Sequence, residues 1–183
     1  MATADKLMTA EEYASLPGLG YPSELIMGRI VRINVPQSRH GQVCSRANRI
    51  LGDFADDNHL GHVLSNDSGV MTQRDPDAVR GADVSFYSYQ NVPKGPVESG
   101  YIKVAPEVVV EICSLDDRWP KILGRTAEYL EAGVAVVCVL DPGDSTAQLY
   151  RPNGTTEMLG TDDILRLPEL GESFSEPVSR FFE

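Results

Sequence analysis

The chain has 183 residues, 42% of them apolar and 23% charged, a composition that favours one compact core and excludes disorder, collagen-like repeats and a disulfide scaffold. Sixteen Lys and Arg against 27 Asp and Glu leave a formal net charge of −11, which argues against a protein held on nucleic acid or an anionic membrane by bulk charge; any polyanion would be bound locally. No apolar stretch approaches the ~20 residues of a membrane helix, and Met1 to Thr9 has neither the apolar segment nor the cleavage site of a leader, so a cytoplasmic location without a membrane partner is expected.

In chain order, Thr9-Ala-Glu-Glu12 has capping-box spacing, which predicts a short helix to about Leu16, stopped by Pro17-Gly18. Glu24 to Ile26 and Arg29 to Val35 are extended runs around Met27-Gly28, where Gly supplies the positive φ of a hairpin turn. From Ser38 to about Asp57, apolar residues recur at Val43, Ala47, Ile50, Leu51, Phe54 and Ala55, which is helical spacing. His62 to Gln73 and Asp83 to Tyr87 read as extended segments, and Pro93 to Pro106 as a Pro- and Gly-rich loop.

Val108 to Cys113 is short, β-branched and almost continuously apolar, as expected of a central strand covered on both faces. A helix follows from about Trp119-Pro120 to Ala132, with Gly133 placed to cap it, and Val134 to Leu140 is a second apolar strand. That order is a β-α-β crossover and predicts a parallel pair. Short strands are expected near Ala147 to Tyr150 and Thr156 to Leu159, then an irregular end at Phe181-Phe182. Without repeats or linkers, residues 1–183 read as one domain. Cys44, Cys113 and Cys138 are odd in number, widely spaced and without a C-x-x-C pair, and read as reduced packing residues.

Glu111 is the most informative residue. A carboxylate flanked by Val108 to Val110 and Ile112 must be paired, hydrogen-bonded or metal-bound, and the plainer alternative is an Arg partner or a position at the strand end in solvent. Asp83 alone could be a strand-start Asp making a local turn, and Glu24 alone an exposed polar position. Together, three carboxylates on neighbouring strands could offer hard oxygens to Mg²⁺ or Mn²⁺, which would activate water against a phosphodiester given a nearby cation. On the helix after Glu111, Ile122, Leu123, Thr126, Tyr129 and Leu130 form the apolar stripe. Arg125 falls about 100° from its centre and Lys121 about 140°, so Arg125 is better placed to reach the strand ends; for both, solvated surface charge is the plainer alternative. His59 and His62 have metal-like spacing without a further ligand, and Ser114 has no nucleophile motif around it.

Several segments together resemble the Uma-type family of restriction endonucleases, a branch of the PD-(D/E)XK nuclease superfamily. They are Met8-Thr-Ala-Glu-Glu-Tyr13 with Leu16-Pro17, Glu24-Leu-Ile-Met-Gly28, His40, Arg80-Gly-Ala-Asp-Val84, Val109-Val-Glu-Ile-Cys-Ser114, Glu128-Tyr-Leu-Glu-Ala-Gly-Val134, Val139-Leu-Asp-Pro142, Tyr150-Arg151-Pro152 and Pro177 to Phe182. Their order and spacing, rather than any single motif, carry the resemblance. It implies a restriction-endonuclease-like α/β fold with a mixed central sheet flanked by helices, and a divalent metal, Mg²⁺ or Mn²⁺. It further implies an active site of Glu24, Asp83 and Glu111, with Asp83 and Glu111 as metal ligands and a lysine from the following helix. The family's helical lysine corresponds to Arg125, which stays charged and can hold phosphate but deprotonates less readily and is broader, so weakened catalysis is expected. Lys121, one turn earlier, is the alternative. Cys113 stands where the superfamily's usual lysine lies, and Ala82 where a Pro usually precedes the aspartate.

His40, Arg80 and Lys121 are candidate substrate contacts, with Arg29, Arg32, Arg39, Arg46 and Arg49 as further local cations. The expected partner is nucleic acid, with DNA favoured, bound weakly and salt-dependently; a homodimer is expected by analogy. Two readings stand: a Mg²⁺-dependent endonuclease slowed by Arg125, and an inactive nuclease-fold protein that binds nucleic acid or a protein.

Overall fold

The computed structural model describes residues 6–114 and 119–183, so the first five residues of the stretch read for a leader lie outside them. The elements are α1 (Ala10–Ala14), β1 (Ser23–Ile26), β2 (Arg29–Arg32), α2 (Ser38–Asp57), β3 (Gly61–Gln73), β4 (Ala78–Ser88) and β5 (Val108–Ile112). They continue with α3 (Trp119–Glu131), β6 (Val136–Asp141), β7 (Thr146–Tyr150), β8 (Thr156–Leu159), β9 (Ile164–Arg166), β10 (Ser175–Pro177) and a 3-10 turn over Val178–Phe181.

The capping box forms: Thr9 Oγ1 accepts from Glu12 N at 3.1 Å and Glu12 Oε2 from Thr9 N at 2.9 Å. The helix ends at Ala14, two residues before the expected stop, because the chain tightens at Ser15, whose amide bonds back to both Glu11 and Glu12 carbonyls. The hairpin turns at Met27 and Gly28, with φ of 51° and 70°, the paired left-handed geometry of a two-residue loop. A Cβ on Gly28 would lie 2.7 Å from Leu7 Cβ, so Gly is needed for space as well as for φ.

Eight strands form one mixed sheet in the order β2-β1-β4-β5-β6-β7-β8, with β3 paired to β4. The expected crossover is present, Val108 to Ile112 lying parallel and in register with Val136 to Leu140. Alternation along these two strands sorts their side chains. Val108, Val110, Ile112, Val136, Cys138 and Leu140 enter the core under α2, with Val43, Ala47, Leu51 and Ala55. Val109, Cys113, Val137 and Val139 enter the opposite core, with Tyr129 of α3. Glu111 shares the parity of Val109 and Cys113 and therefore faces α3.

Three expectations change. β4 starts at Ala78 rather than Asp83, because β3 pairs with it along its whole length through a bulge between Ser65 and Ser68; Arg80 to Asp83 are thus strand residues and Asp83 is no turn. Leu123, placed in the apolar stripe, is 44% exposed, whereas Thr126 and Tyr129 of the same stripe are buried. The end expected to be irregular at Phe181-Phe182 closes a 3-10 turn over Val178–Phe181; before it β9 and β10 pair antiparallel, and Leu165, Leu167, Leu170, Phe174, Val178, Phe181 and Phe182 complete the core under α2.

Candidate active site

The site is built where two strands share one edge of β4. β3 occupies the other edge, while β1 pairs with β4 at Leu25 opposite Val79 and β5 at Val110 opposite Val84. Between these two partners the edge of β4 around Arg80 to Asp83 forms a notch. Carboxylates bind the main chain there: Gly81 N donates to Glu24 Oε1 at 3.1 Å, and Ile112 N donates to Asp83 Oδ2 at 2.7 Å. The fold thus draws Glu24 of β1, Asp83 of β4 and Glu111 of β5 to one place, and all three are buried. Gly81 is close-packed from the β3 side, where a Cβ would meet Asp67 Cβ at 3.0 Å.

Cations from α3 and β4 offset this charge. Arg125 donates through Nη2 to Glu24 Oε1 at 2.7 Å and through Nη1 to Glu111 Oε2 at 3.0 Å, while the Tyr129 hydroxyl donates to Glu111 Oε1 at 2.7 Å. Arg80 donates through Nη1 to Glu24 Oε2 at 2.9 Å and makes a two-pronged pair with Glu128 at 2.6 and 2.7 Å. The helical spacing of Arg125, Glu128 and Tyr129 sets these contacts on one face of α3. From the α2 side, His40 Nε2 lies 3.3 Å from Asp83 Oδ2, and its Nδ1 lies 3.4 Å from Cys44 Sγ.

The electrostatics mark an excess of negative charge. Burial pushes the Glu111 carboxyl up to about 7; Arg125 and Tyr129 oppose that rise and Asp83 adds to it. Burial and then Asp83 also raise Asp67, at the β3 bulge. Burial works to lower His40, but its pairing with Asp83, helped by Asp67 and Glu111, lifts it above its ordinary 6.5. Burial is the main cause of both raised carboxyls and the Asp83 charge a lesser one, and it is that lesser part that a divalent cation would relieve. Asp83 and Glu111, from adjacent strands and lining one cleft of about 340 Å³, carry the hard-oxygen chemistry that Mg²⁺ or Mn²⁺ takes, while both Glu111 oxygens are engaged by Arg125 and Tyr129.

The structure therefore gathers Glu24, Asp83, Glu111, Arg125 and His40 into one cluster. Arg80 lies within it but gives its donors to Glu24 and Glu128. Lys121 lines the mouth of the same cleft and is exposed, as the helix rotation implied. Of the other arginines, Arg32 lines the cleft and lies over the Tyr21 ring, whereas Arg39 and Arg46 donate to the carbonyls of Phe182 and Glu183 at 2.8 and 3.0 Å. His62 bonds the Pro93 carbonyl at 3.0 Å, outside this cluster.

Sequence reasoning missed Tyr129, Glu128, Asp67 and Cys44 as members. Tyr129 was read as core, and only its spacing of four from Arg125 hints at a shared target. Asp67 follows Asn66, both with positive φ, a bulge signal in an otherwise extended run. Cys44 lies four residues after His40, a spacing that puts both on one helix face.

The Uma2 family model, described as "putative restriction endonuclease", matches residues 10–179. Among solved structures, the chain is similar to a putative nuclease belonging to DUF820 from Anabaena variabilis, with a TM-score of 0.79 and 22% identity over 96% of this chain and 97% of that one. That likeness shows the fold. No curated protein matches the chain.

Proposed function

The chain belongs to the Uma2 family of putative restriction endonucleases, and from that premise we propose that it is a metal-dependent endonuclease acting on phosphodiester bonds of nucleic acid, with DNA the favoured substrate. The observation that carries this reading is the convergence of buried Glu24, Asp83 and Glu111 from three strands, with the Arg125 guanidinium bridging Glu24 and Glu111. Asp83 and Glu111 would hold Mg²⁺ or Mn²⁺, which when bound polarises a phosphodiester and lowers the pKa of water.

The chain's own groups set the rest. His40 orients Asp83 from one side, as the Ile112 amide does from the other. Glu24 holds Arg125 and Arg80 in place. Arg125 supplies positive charge to the phosphate oxygens as negative charge develops on them. It also donates to Glu111, so it must loosen that bond as substrate binds, and this slows the reaction. Lys121, at the mouth, meets the backbone of the incoming strand. In the cytoplasm, a two-fold pair of such sites would cut both strands of a duplex.

Purified protein incubated with plasmid and Mg²⁺ or Mn²⁺ tests the reading. Slow cleavage is expected, abolished by Asp83→Asn and by Glu111→Gln; cleavage undiminished in both variants contradicts it. The same Arg125 contacts favour a second reading, a catalytically inactive binding module whose cleft is permanently closed by the arginine. Arg125→Lys separates the two. Faster metal-dependent cleavage supports the enzyme, and no metal binding by calorimetry in either form supports the module.

A further inference from the structure

A second set of donors lies on the α2 side of Asp83 and differs in chemistry from the all-oxygen set. One ligand atom each from His40, Cys44 and Asp83 lie within 4.8 Å of one another, and none of the three residues is exposed. His40 and Cys44 sit one turn apart on α2, and the buried Val43 between them, with Ala47 and Leu51 in the turns that follow, anchors that helix in the core. Asp83 is held by the Ile112 amide at 2.7 Å. A nitrogen, a sulfur and an oxygen on two rigid elements form a donor set suited to a borderline-soft cation and poorly suited to Mg²⁺. We propose that His40, Cys44 and Asp83 form a binding site for Zn²⁺ or a like thiophilic divalent cation, sharing Asp83 with the hydrolytic site.

The geometry is close to what such an ion needs. Tetrahedral zinc with ordinary bond lengths sets its ligand atoms roughly 3.5 Å apart, so three ligand atoms now within 4.8 Å of one another close by about 1.3 Å or less. His40 meets Asp83 through Nε2 at 3.3 Å and Cys44 through Nδ1 at 3.4 Å, so whichever nitrogen ligates already has that spacing to one partner, and the other partner closes on it by a small side-chain rotation. The fourth position opens on the cleft that His40, Asp67 and Asp83 line, and water fills it. Binding releases the Cys44 thiol proton to the buffer, and a second proton from whatever fraction of His40 is protonated. In the metal-free protein burial and Asp83 keep the Cys44 thiol from ionising, which leaves it an ordinary packing sulfur until a cation arrives.

A consequence concerns regulation, and it rests on the reading of Asp83 as a ligand of the hydrolytic metal. An ion held by His40 and Cys44 engages the Asp83 carboxylate and withdraws it from Mg²⁺. Zinc then inhibits cleavage, and its removal by a chelator restores it. Asp83 is the one residue common to both sets.

The test uses the full chain, titrated with Co²⁺ as a spectroscopic probe and with Zn²⁺, in the presence of excess Mg²⁺. One Co²⁺ per chain is expected, with a thiolate-to-cobalt charge-transfer band that Zn²⁺ bleaches and Mg²⁺ leaves intact. Cys44→Ser removes the band and weakens Zn²⁺ binding at least about tenfold, since even outer-shell partners are worth ~10–100-fold in metal affinity. Glu111→Gln, which alters only the oxygen set, retains the band. No band in the wild type, a band that survives Cys44→Ser, or a band lost in Glu111→Gln overturns the proposal. Failure of the nuclease reading is separate: a protein that never cuts nucleic acid but gives the cobalt spectrum keeps this site and loses only the inhibition.

Discussion

Glu111 illustrates how a charge survives in a strand of valines. Each fully buried Val or Ile beside it contributes roughly 1.5–3 kcal/mol by leaving water, whereas a bare carboxylate there would cost several. Its two oxygens are therefore occupied, one by Tyr129 and one by Arg125. Tyr129 is fully buried, and its hydroxyl is the sole uncharged donor to Glu111 among the described side chains. Tyr129→Phe keeps the ring packing and deletes that donor, and is expected to destabilise the fold by about 1–3 kcal/mol in denaturant unfolding, the penalty for an unsatisfied buried acceptor. A change within about 0.5 kcal/mol, the range of ordinary surface substitutions, would show that the bond is not formed. That Glu111 needs a partner was legible from its apolar neighbours alone. Helix rotation put Arg125 closer to the strand ends than Lys121, but its pairing with Glu111 is seen only in the structure. The role of Tyr129 was not legible, because an aromatic on an apolar stripe is indistinguishable in sequence from a core residue.

Elements are joined by a second acidic residue of the opposite electrostatic kind. Asp77, at the end of the turn between β3 and β4, accepts from Ala10 N at 2.7 Å and from Arg74 Nη1 at 2.8 Å, and so ties α1 to the sheet. Burial works to raise its carboxyl, but the amides of Ala10 and Asp75 and the Arg74 guanidinium hold it below its ordinary 3.8. A group whose folded pKa is depressed stabilises the fold above its unfolded value. Here that contribution is complete above pH about 4 and is lost as pH falls through the lowered value. Asp77→Asn should flatten the acid side of the stability curve and cost about 1–3 kcal/mol at neutral pH. An unchanged acid limb in thermal melts from pH 3 to 6 would contradict this. The capping box, the hairpin and both long helices were readable from local chemistry. β9 and β10, of three residues each, were not, since so short a run has no period to read and is held by Leu165, Leu167 and Phe174 at long range.

At the scale of the molecule, the net charge of −11 sets the terms on which a polyanion can bind. The described residues include no helix long and apolar enough to cross a membrane. Bulk repulsion opposes nucleic acid, and under the proposed function Lys121, Arg32 and Arg125, which line the cleft, would supply local attraction. Binding should therefore be weak and fall steeply with salt, log K declining by roughly 0.7–0.9 per phosphate contacted, as filter binding or fluorescence anisotropy would show. Affinity unchanged by rising salt would contradict a phosphate-directed mode. The parallel crossover and the two covered faces of β5 were legible because apolar runs of that length admit few topologies. The shared edge of β4 was not, because strand order is set by pairing between distant segments rather than by any local pattern.

The central claim is that Asp83 and Glu111, distant in the chain, together hold one hard divalent ion. Mn²⁺ binding followed by calorimetry and by loss of the free-ion paramagnetic signal tests it most directly. The account predicts about one ion per chain for the wild type, with binding weakened at least about tenfold by Asp83→Asn and by Glu111→Gln alike. Mn²⁺ binding that is absent in the wild type, or that persists undiminished in both variants, would contradict it.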